Sequence, residues 1–355
     1  MTARSSSPQV DETAISEYFQ KACLLFDHAA TASGGVRERF YMVDAQPVRL
    51  RFAGPAFEPH ITPALEHVDC PPSPSPGLTV LLWDRASTGV ALPDPPWPEN
   101  AYVVRGEIDG LRNERIQIAI SPGFRGLSLF DTAKNIAIFH VPDAARIPYY
   151  ESSSPLRTIF HWWLARRGRQ LAHAGAVGVQ GRGVLLAGKG GSGKSVSCLT
   201  CLCAGMEYAG DDYTVLNLDS RPVVSSLYSS AKVHPHDLPR FPELGAAVAD
   251  LTGSEQEKAV LFLQRARPEL IARQLEVHAI LLPRVVGSGR TTLHKVSAAA
   301  GLRSLAPSTI FQLPGAGRSA FEAISQFVKS TPSYVLEIGG DTAEIPAVIR
   351  DLLAG

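Results

Sequence analysis

The sequence predicts an α/β protein: a larger domain over residues 151–355, with helices around a mixed sheet, follows a smaller β-rich domain over residues 1–150. Three observations lead there. Up to about residue 141, short apolar stretches are punctuated by proline and glycine. From residue 171 onward, apolar strands alternate with helical patterns. Between them in character, a continuous apolar run at 184–187 feeds a glycine-rich loop that opens a helix.

Residues 13–30 have apolar positions at helical spacing and are expected to pack on the first domain. Within that domain the apolar runs 78–83, 101–104, 116–120 and 135–141 carry the β-rich character. Two proline clusters, Pro71-Pro72-Ser73-Pro74-Ser75-Pro76 and Pro93-Asp94-Pro95-Pro96-Trp97-Pro98, cannot pair in a central sheet and are expected as surface loops. Service as ligands for a polyproline-binding module is their lesser reading. There is no internal repeat.

Ser154 is placed to cap a helix and Pro155 suits its first position. Leu156, Ile159, Phe160, Trp163 and Leu164 then fall on one face. Arg166, Arg167 and Arg169 gather at its end, where cations favour the negative pole of the dipole. This helix bridges the domains. Beyond it, 174–179 and 184–187 read as strands joined by the Gly181-Arg182-Gly183 turn, and the helix after the glycine-rich loop runs to about Cys203, stopped by Gly205. Residues 213–218 and 223–227 suit an antiparallel pair. Further strands are expected at 277–282, 291–296 and 334–338, with helices at 319–329 and 345–353.

Composition narrows the class. With 45% hydrophobic and 19% charged residues, the 355-residue chain can bury a sizeable core. Its 34 basic residues balance 34 acidic ones, so the total charge points to neither nucleic acid nor an anionic membrane. Five cysteines, an odd number, argue against a disulfide framework and for a reducing compartment. The N-terminus lacks the apolar stretch of a secretory signal, and no run approaches the ~18 residues needed to cross a bilayer. The expectation is a soluble cytoplasmic protein.

The chemistry starts at Gly188-Lys189-Gly190-Gly191-Ser192-Gly193-Lys194-Ser195, which satisfies G-x-x-x-x-G-K-[ST] between a strand and a helix. Glycines let the backbone curl so that successive N–H groups point inward as an anion nest. The helix beginning near Lys194 adds its positive dipole end. Lys194 is placed to reach the outer phosphates of a nucleoside triphosphate, and the Ser195 hydroxyl to ligate Mg²⁺. Sixteen residues beyond Ser195 comes Asp211, in Gly210-Asp211-Asp212. A strand set beside the loop strand would bring both carboxylates to the phosphates. One can then hold Mg²⁺ while the other accepts the proton of an attacking hydroxyl.

The ordered set His173-Ala174-Gly175-Ala176-Val177-Gly178, Gly183-Val184-Leu185-Leu186-Ala187-Gly188, the loop and Gly210-Asp211-Asp212 resembles the catalytic core of bacterial HPr kinase/phosphorylase. That fold is shared with the phosphoenolpyruvate carboxykinases. The match looks closest to the HPr-kinase-like serine kinases, including those of lasso-peptide clusters, and covers about residues 171–218. The resemblance implies a mixed-sheet P-loop domain of the HPr kinase/PEP carboxykinase type. It makes Lys194 the phosphate lysine, Ser195 a metal ligand with Asp211 beside the metal, Asp212 the general base and His173 its partner. It also makes self-association plausible. The Gly-Arg-Asn-type loop signature of that family is not found, nor a clear equivalent of its downstream metal-binding glutamate, for which Asp219, Asp237 and Glu243 are candidates.

Weaker signals are read conservatively. Cys198, Cys201 and Cys203, in the helix after the loop, are expected as small buried residues and not as metal ligands. His234-Pro235-His236 reads as a surface loop, with cation binding as the lesser reading. Lys232, one hairpin beyond the acid pair, is expected to face solvent, with reach to a phosphate as the lesser reading. Arg284, Arg303 and Arg318 are possible phosphate or adenine contacts. The expected activity is an ATP- and Mg²⁺-dependent kinase acting on a hydroxyl, serine in a peptide or protein. The alternatives are a small-molecule kinase on the same core and a nucleotide-responsive regulatory protein without phosphotransfer.

Overall fold

In a computed structural model of the chain, residues 11–98, 101–108, 111, 113–217, 219, 221–249 and 258–355 are described. Helix α1 (Glu12–Ala32) begins where the Asp11 carboxylate accepts from Thr13 N. There follow β1 (Val36–Val43), β2 (Gln46–Ala53), the single turn α2 (Glu58–Ile61), β3 (Leu78–Asp84), the single turn α3 (Arg85–Thr88), β4 (Ile116–Ser121), β5 (Gly126–Asp131) and β6 (Ile136–Val141). These strands form one mixed sheet in the order β1-β2-β3-β6-β5-β4. β3 is buried along its whole length, as a central strand covered on both faces must be. One face packs on α1 through Phe19, Phe26, Trp83 and Ile138. The hairpin β1–β2 was not anticipated, because the first four residues of β1, Val36 to Arg39, are all exposed and three of them are charged. Residues 101–104 form only an isolated bridge, Tyr102 to Ile108. In the second proline cluster Trp97 is buried edge-on against Tyr18, 5.1 Å between ring centroids.

The chain continues through α4 (Tyr149–Ser153), α5 (Arg157–Ala165), β7 (Arg169–Ala172), β8 (Ala174–Val179), β9 (Arg182–Ala187), α6 (Lys194–Cys203), β10 (Glu207–Gly210), β11 (Thr214–Asn217), β12 (Val223–Ser226), β13 (Ser230–Val233) and β14 (Ala259–Phe262). It ends with β15 (Gln274–Val285), β16 (Thr292–Val296), α7 (Ala298–Ile310), α8 (Arg318–Ser330), β17 (Ser333–Ile338) and α9 (Ile345–Ala354). Nine strands make a second mixed sheet with the path β10-β8-β9-β15-β12-β11-β7, and β17 pairs with both β15 and β16. β9 and β17 run parallel to β15 on its two sides. Residues alternate along β9: Val184 and Leu186 pack against α6 and α9. Leu185 and Ala187 pack towards α7 and α8. Both faces are therefore apolar, which explains the unbroken apolar run.

Helix α5 lies where the two sheets meet. Ile159, Phe160, Trp162, Trp163 and Leu164 share a core with Leu50, Phe52 and Phe139 of the first sheet and with Val215, Tyr228 and Phe262 of the second half. Trp163 Nε1 donates to Gly77 O at 3.1 Å and Trp162 Nε1 to Pro314 O at 2.8 Å. Arg105 adds a tie, donating to Ile310 O at 3.0 Å and Ala316 O at 2.7 Å.

Three local expectations are corrected. Ser154 does not cap α5, which starts at Arg157 behind Leu156 in the left-handed region at φ 59°. Glu151 Oε1 takes the Leu156 N–H at 3.1 Å, so the chain kinks there and frees the Ser154 side chain. The turn between β8 and β9 sits one residue earlier than expected, at Gln180 and Gly181, both at positive φ. The strand carrying the acid pair does not neighbour the loop strand. β8 lies between β10 and β9, because the β8–β9 hairpin and the parallel partner β15 occupy both edges of β9. Leu218, the last residue of the strand expected at 213–218, lies outside the described residues.

The shared core makes a stability prediction. Phe160→Ala should lower the unfolding free energy by about 3–5 kcal/mol, since an aromatic side chain at 0% exposure is lost against two packed sheets. Urea denaturation followed by tryptophan fluorescence measures it.

Candidate active site

Residues 188–193 link β9 to α6, whose first two residues are Lys194 and Ser195, with Gly193 as the residue before the helix at φ 101°. That angle is left-handed, and a Cβ there would come within 2.9 Å of Ile338 Cδ1, so only glycine fits. The first N–H groups of α6 thus open into a cavity of about 810 Å³ lined by Lys189 to Ser195. Lys194 is 8% exposed, and its ammonium donates to Gly188 O at 2.7 Å, folding the side chain back over the loop. Burial lowers its pKa, and the charges of Asp211 and Asp212 oppose that.

The acid pair enters the same cavity by strand register. β8 pairs with β10, Ala176 opposite Gly210, while β7 pairs with β11, Ala172 opposite Thr214. Both stretches of chain are therefore interrupted at one level, His173 in one and Asp211 to Tyr213 in the other. His173 Nε2 lies 3.0 Å from Asp212 Oδ1. Facing a carboxylate, Nε2 must carry the proton. Lys232 Nζ donates to Asp212 Oδ2 at 2.7 Å and Ser154 Oγ to the same oxygen at 3.1 Å. Tyr213, its ring 5.4 Å from that of His173, donates through its hydroxyl to Gln312 Oε1 at 2.7 Å.

The two carboxyls are driven apart. Burial pushes Asp211 up, and the neighbouring Asp212 charge adds to it. Burial would raise Asp212 too, but Lys232 and His173 outweigh it and hold its carboxyl well below the usual range. Asp212 is thus a fixed anion able to accept a hydrogen bond, and Asp211 is a buried carboxyl short of a partner. Asp211 Oδ2 accepts from Lys232 N at 3.3 Å, while Oδ1 is buried with none. Ser195 stands close enough to Asp211 to favour its charged form. An orphaned carboxylate oxygen beside a hydroxyl at a helix N-terminus fits a Mg²⁺ ion whose other ligands are phosphate and water. Among the described residues no group of three or more His, Cys, Asp or Glu forms an all-protein cage.

His173, Lys189 to Ser195, Asp211 and Asp212 line this cavity, and Gly188 borders an adjoining cavity of about 650 Å³ that shares His173, Lys189, Gly190 and Ser192 with the first. Of the downstream carboxylates only Asp237 lines the first cavity. Asp219 pairs with Arg169 at 3.1 Å, and Glu243 approaches Cys203. Arg284 and Arg303 border the second cavity, whereas Arg318 pairs with Glu322 on the exposed side of α8. Cys198 and Cys201 are fully buried and Cys203 partly so. His234 stacks on His236 at 5.3 Å.

Lys232 corrects the expectation of a solvent-facing side chain. Ala231 and Val233 point into the core, so strand alternation sends Lys232 to the opposite side, into the cavity. Ser154 was missed because its approach depends on the kink before α5. That segment is pinned to β13: Tyr228 Oη donates to Pro155 O at 2.8 Å and Ser230 Oγ bonds Ser153 O. Glu151 and Arg157, 3.4 Å apart and mostly buried, brace it.

No protein-family model and no curated protein matches the sequence. A solved structure, that of the Hpr(Ser) kinase/phosphatase from Coxiella burnetii, is similar over 51% of this chain and 89% of that one, at 11% identity and a TM-score of 0.30. At that distance the likeness has no bearing on the site. Among the described residues no helix is long and apolar enough to cross a membrane.

Gly175 sets how closely β8 approaches α6. A Cβ on it would fall 2.5 Å from Cys198 Sγ and 3.3 Å from Gly210 O. Gly175→Ala is expected to destabilise the chain by about 1–3 kcal/mol through overpacking, and Cys198→Ala in the same chain to recover most of it. Paired urea titrations decide this; no recovery would mean that the backbone contact, not the sulfur, is limiting.

Proposed function

We propose that the protein is an ATP- and Mg²⁺-dependent phosphotransferase that phosphorylates a hydroxyl, serine of a peptide or protein. The observation that carries this reading is a clamped, charged Asp212 in the same cavity as the Gly188–Ser195 loop and its Lys194. The loop amides and the α6 N-terminus hold the phosphates, and Lys194 swings from Gly188 O to the outer oxygens. Ser195 and Asp211 would hold a Mg²⁺ ion, which would supply charge neutralisation for the transferring group.

The acceptor hydroxyl is oriented by a hydrogen bond to Asp212. Its oxygen forms the new bond to the terminal phosphorus as the bond to the bridging oxygen breaks and ADP leaves; its proton passes to Asp212 and then to solvent. A carboxylate held this low is a weak base. Phosphoryl transfer through a loose transition state asks for orientation and charge more than for early proton removal, and a rigid acceptor suits it. His173 supplies part of that rigidity.

Incubation with γ-labelled ATP, Mg²⁺ and a panel of seryl peptides and small alcohols tests the reading, with label on a peptide serine as the expected result. Asp212→Asn should lower transfer by about 10²–10⁴-fold without loss of nucleotide binding. Label on small alcohols alone would shift the substrate class. Tight ATP binding with no labelled acceptor in any arm would sink the phosphotransferase reading.

A further inference from the structure

We propose that Lys232 is a second phosphate-binding lysine, which leaves Asp212 for the terminal phosphoryl group when a nucleoside triphosphate enters the cavity. This rests on the reading of the loop as a nucleotide site and adds a residue to it.

Three observations carry the inference. The first is an imbalance of hydrogen bonds. Asp212 accepts from three side chains, His173, Ser154 and Lys232, so it keeps two donors if the lysine departs. The Lys232 ammonium has three donors, and Asp212 is the one acceptor it meets among the described residues. The second is position. The backbone N–H of Lys232 donates to Asp211 Oδ2 at 3.3 Å, which seats β13 against the carboxylate beside Ser195. Its side chain emerges into the cavity that the loop residues Gly190 to Ser195 line. The third is the geometry of its partner lysine. Lys194 rises from the first residue of α6, and Lys232 comes from β13, so the two ammonium groups reach the cavity from different elements.

A terminal phosphoryl group carries about two negative charges where Asp212 carries one. A flexible lysine stem lets the ammonium move to the larger charge without moving the strand. The exchange is a change of partner, with no bond made or broken. In the empty site Lys232 stores its charge on Asp212; in the loaded site it grips the group to be transferred and uncovers the Asp212 oxygen for the acceptor hydroxyl.

The test is nucleotide binding in the presence of Mg²⁺, read by displacement of a fluorescent nucleotide with AMP-PNP or with ADP. ADP lacks the group that Lys232 is proposed to hold. In Asp212→Asn, which removes the competing charge, AMP-PNP should bind about threefold or more tighter while ADP changes by less than about twofold. Adding Lys232→Met to Asp212→Asn should weaken AMP-PNP by about tenfold or more and ADP by less than about threefold, the size of a lost charge-assisted hydrogen bond. The Asn background matters, because it removes the repulsion that an uncovered Asp212 would exert on either nucleotide. Equal losses for AMP-PNP and ADP, or no loss, would overturn the proposal and leave Lys232 a partner of Asp212 alone. Failure of the unaltered chain to bind either nucleotide would overturn the nucleotide site with it. Selective loss of AMP-PNP without any labelled acceptor would uphold Lys232 and remove only the kinase reading.

Discussion

Everything at the centre of this molecule depends on keeping one carboxylate charged while buried. Asp212 is stripped of most of its water, and isolated in that position it would be neutral or would destabilise the fold. It stays charged because three donors converge on it from three parts of the chain. His173 comes from the break between β7 and β8, Lys232 from β13, and Ser154 from the kink before α5. Each needs its own element in register, so the charge on Asp212 ties those elements to one arrangement.

That constraint links the two halves of the chain. The α4–α5 segment, which delivers Ser154, is bonded to Tyr228 and Ser230 on one side and supports the packing of α5 on the other. Helix α5 in turn buries its aromatic residues between the first sheet and the second. The cavity wall formed by Tyr149, Tyr150 and Arg157 belongs to the same segment.

The neighbouring carboxyl follows the opposite logic. Asp211 is buried with one oxygen unpartnered, beside a helix N-terminus and a serine hydroxyl. Two adjacent residues thus end in opposite surroundings, one surrounded by donors and one with an oxygen left without a partner. The two residues lie in the break between β10 and β11, where Asp212 meets His173, Lys232 and Ser154 while Asp211 meets the Lys232 backbone and the Ser195 side chain.

Much of this was legible in the sequence. The glycine pattern of residues 188–195 has few backbone solutions between a strand and a helix, because the left-handed angle at Gly193 and the contact with Ile338 leave room for nothing larger. The unbroken apolar run of β9 marked a strand covered on both faces, and the period of the later helices survived into α8 and α9. Apart from the contact with Ile338, these patterns are written within a few residues of the chain. Strand neighbours, the hairpin β1–β2, helix α7 and the partners of Asp212 were decided by tertiary structure. Lys232 and Ser154 reach that carboxylate across 20 and 58 residues of sequence, and no local periodicity records such a meeting. Sequence determined that an anion cradle and a pair of carboxylates exist. Only the register of β8 against β10 and of β7 against β11, in a sheet buried on both faces, decided that they meet, and the side chains of Lys232 and His173 decided which of the two stays charged.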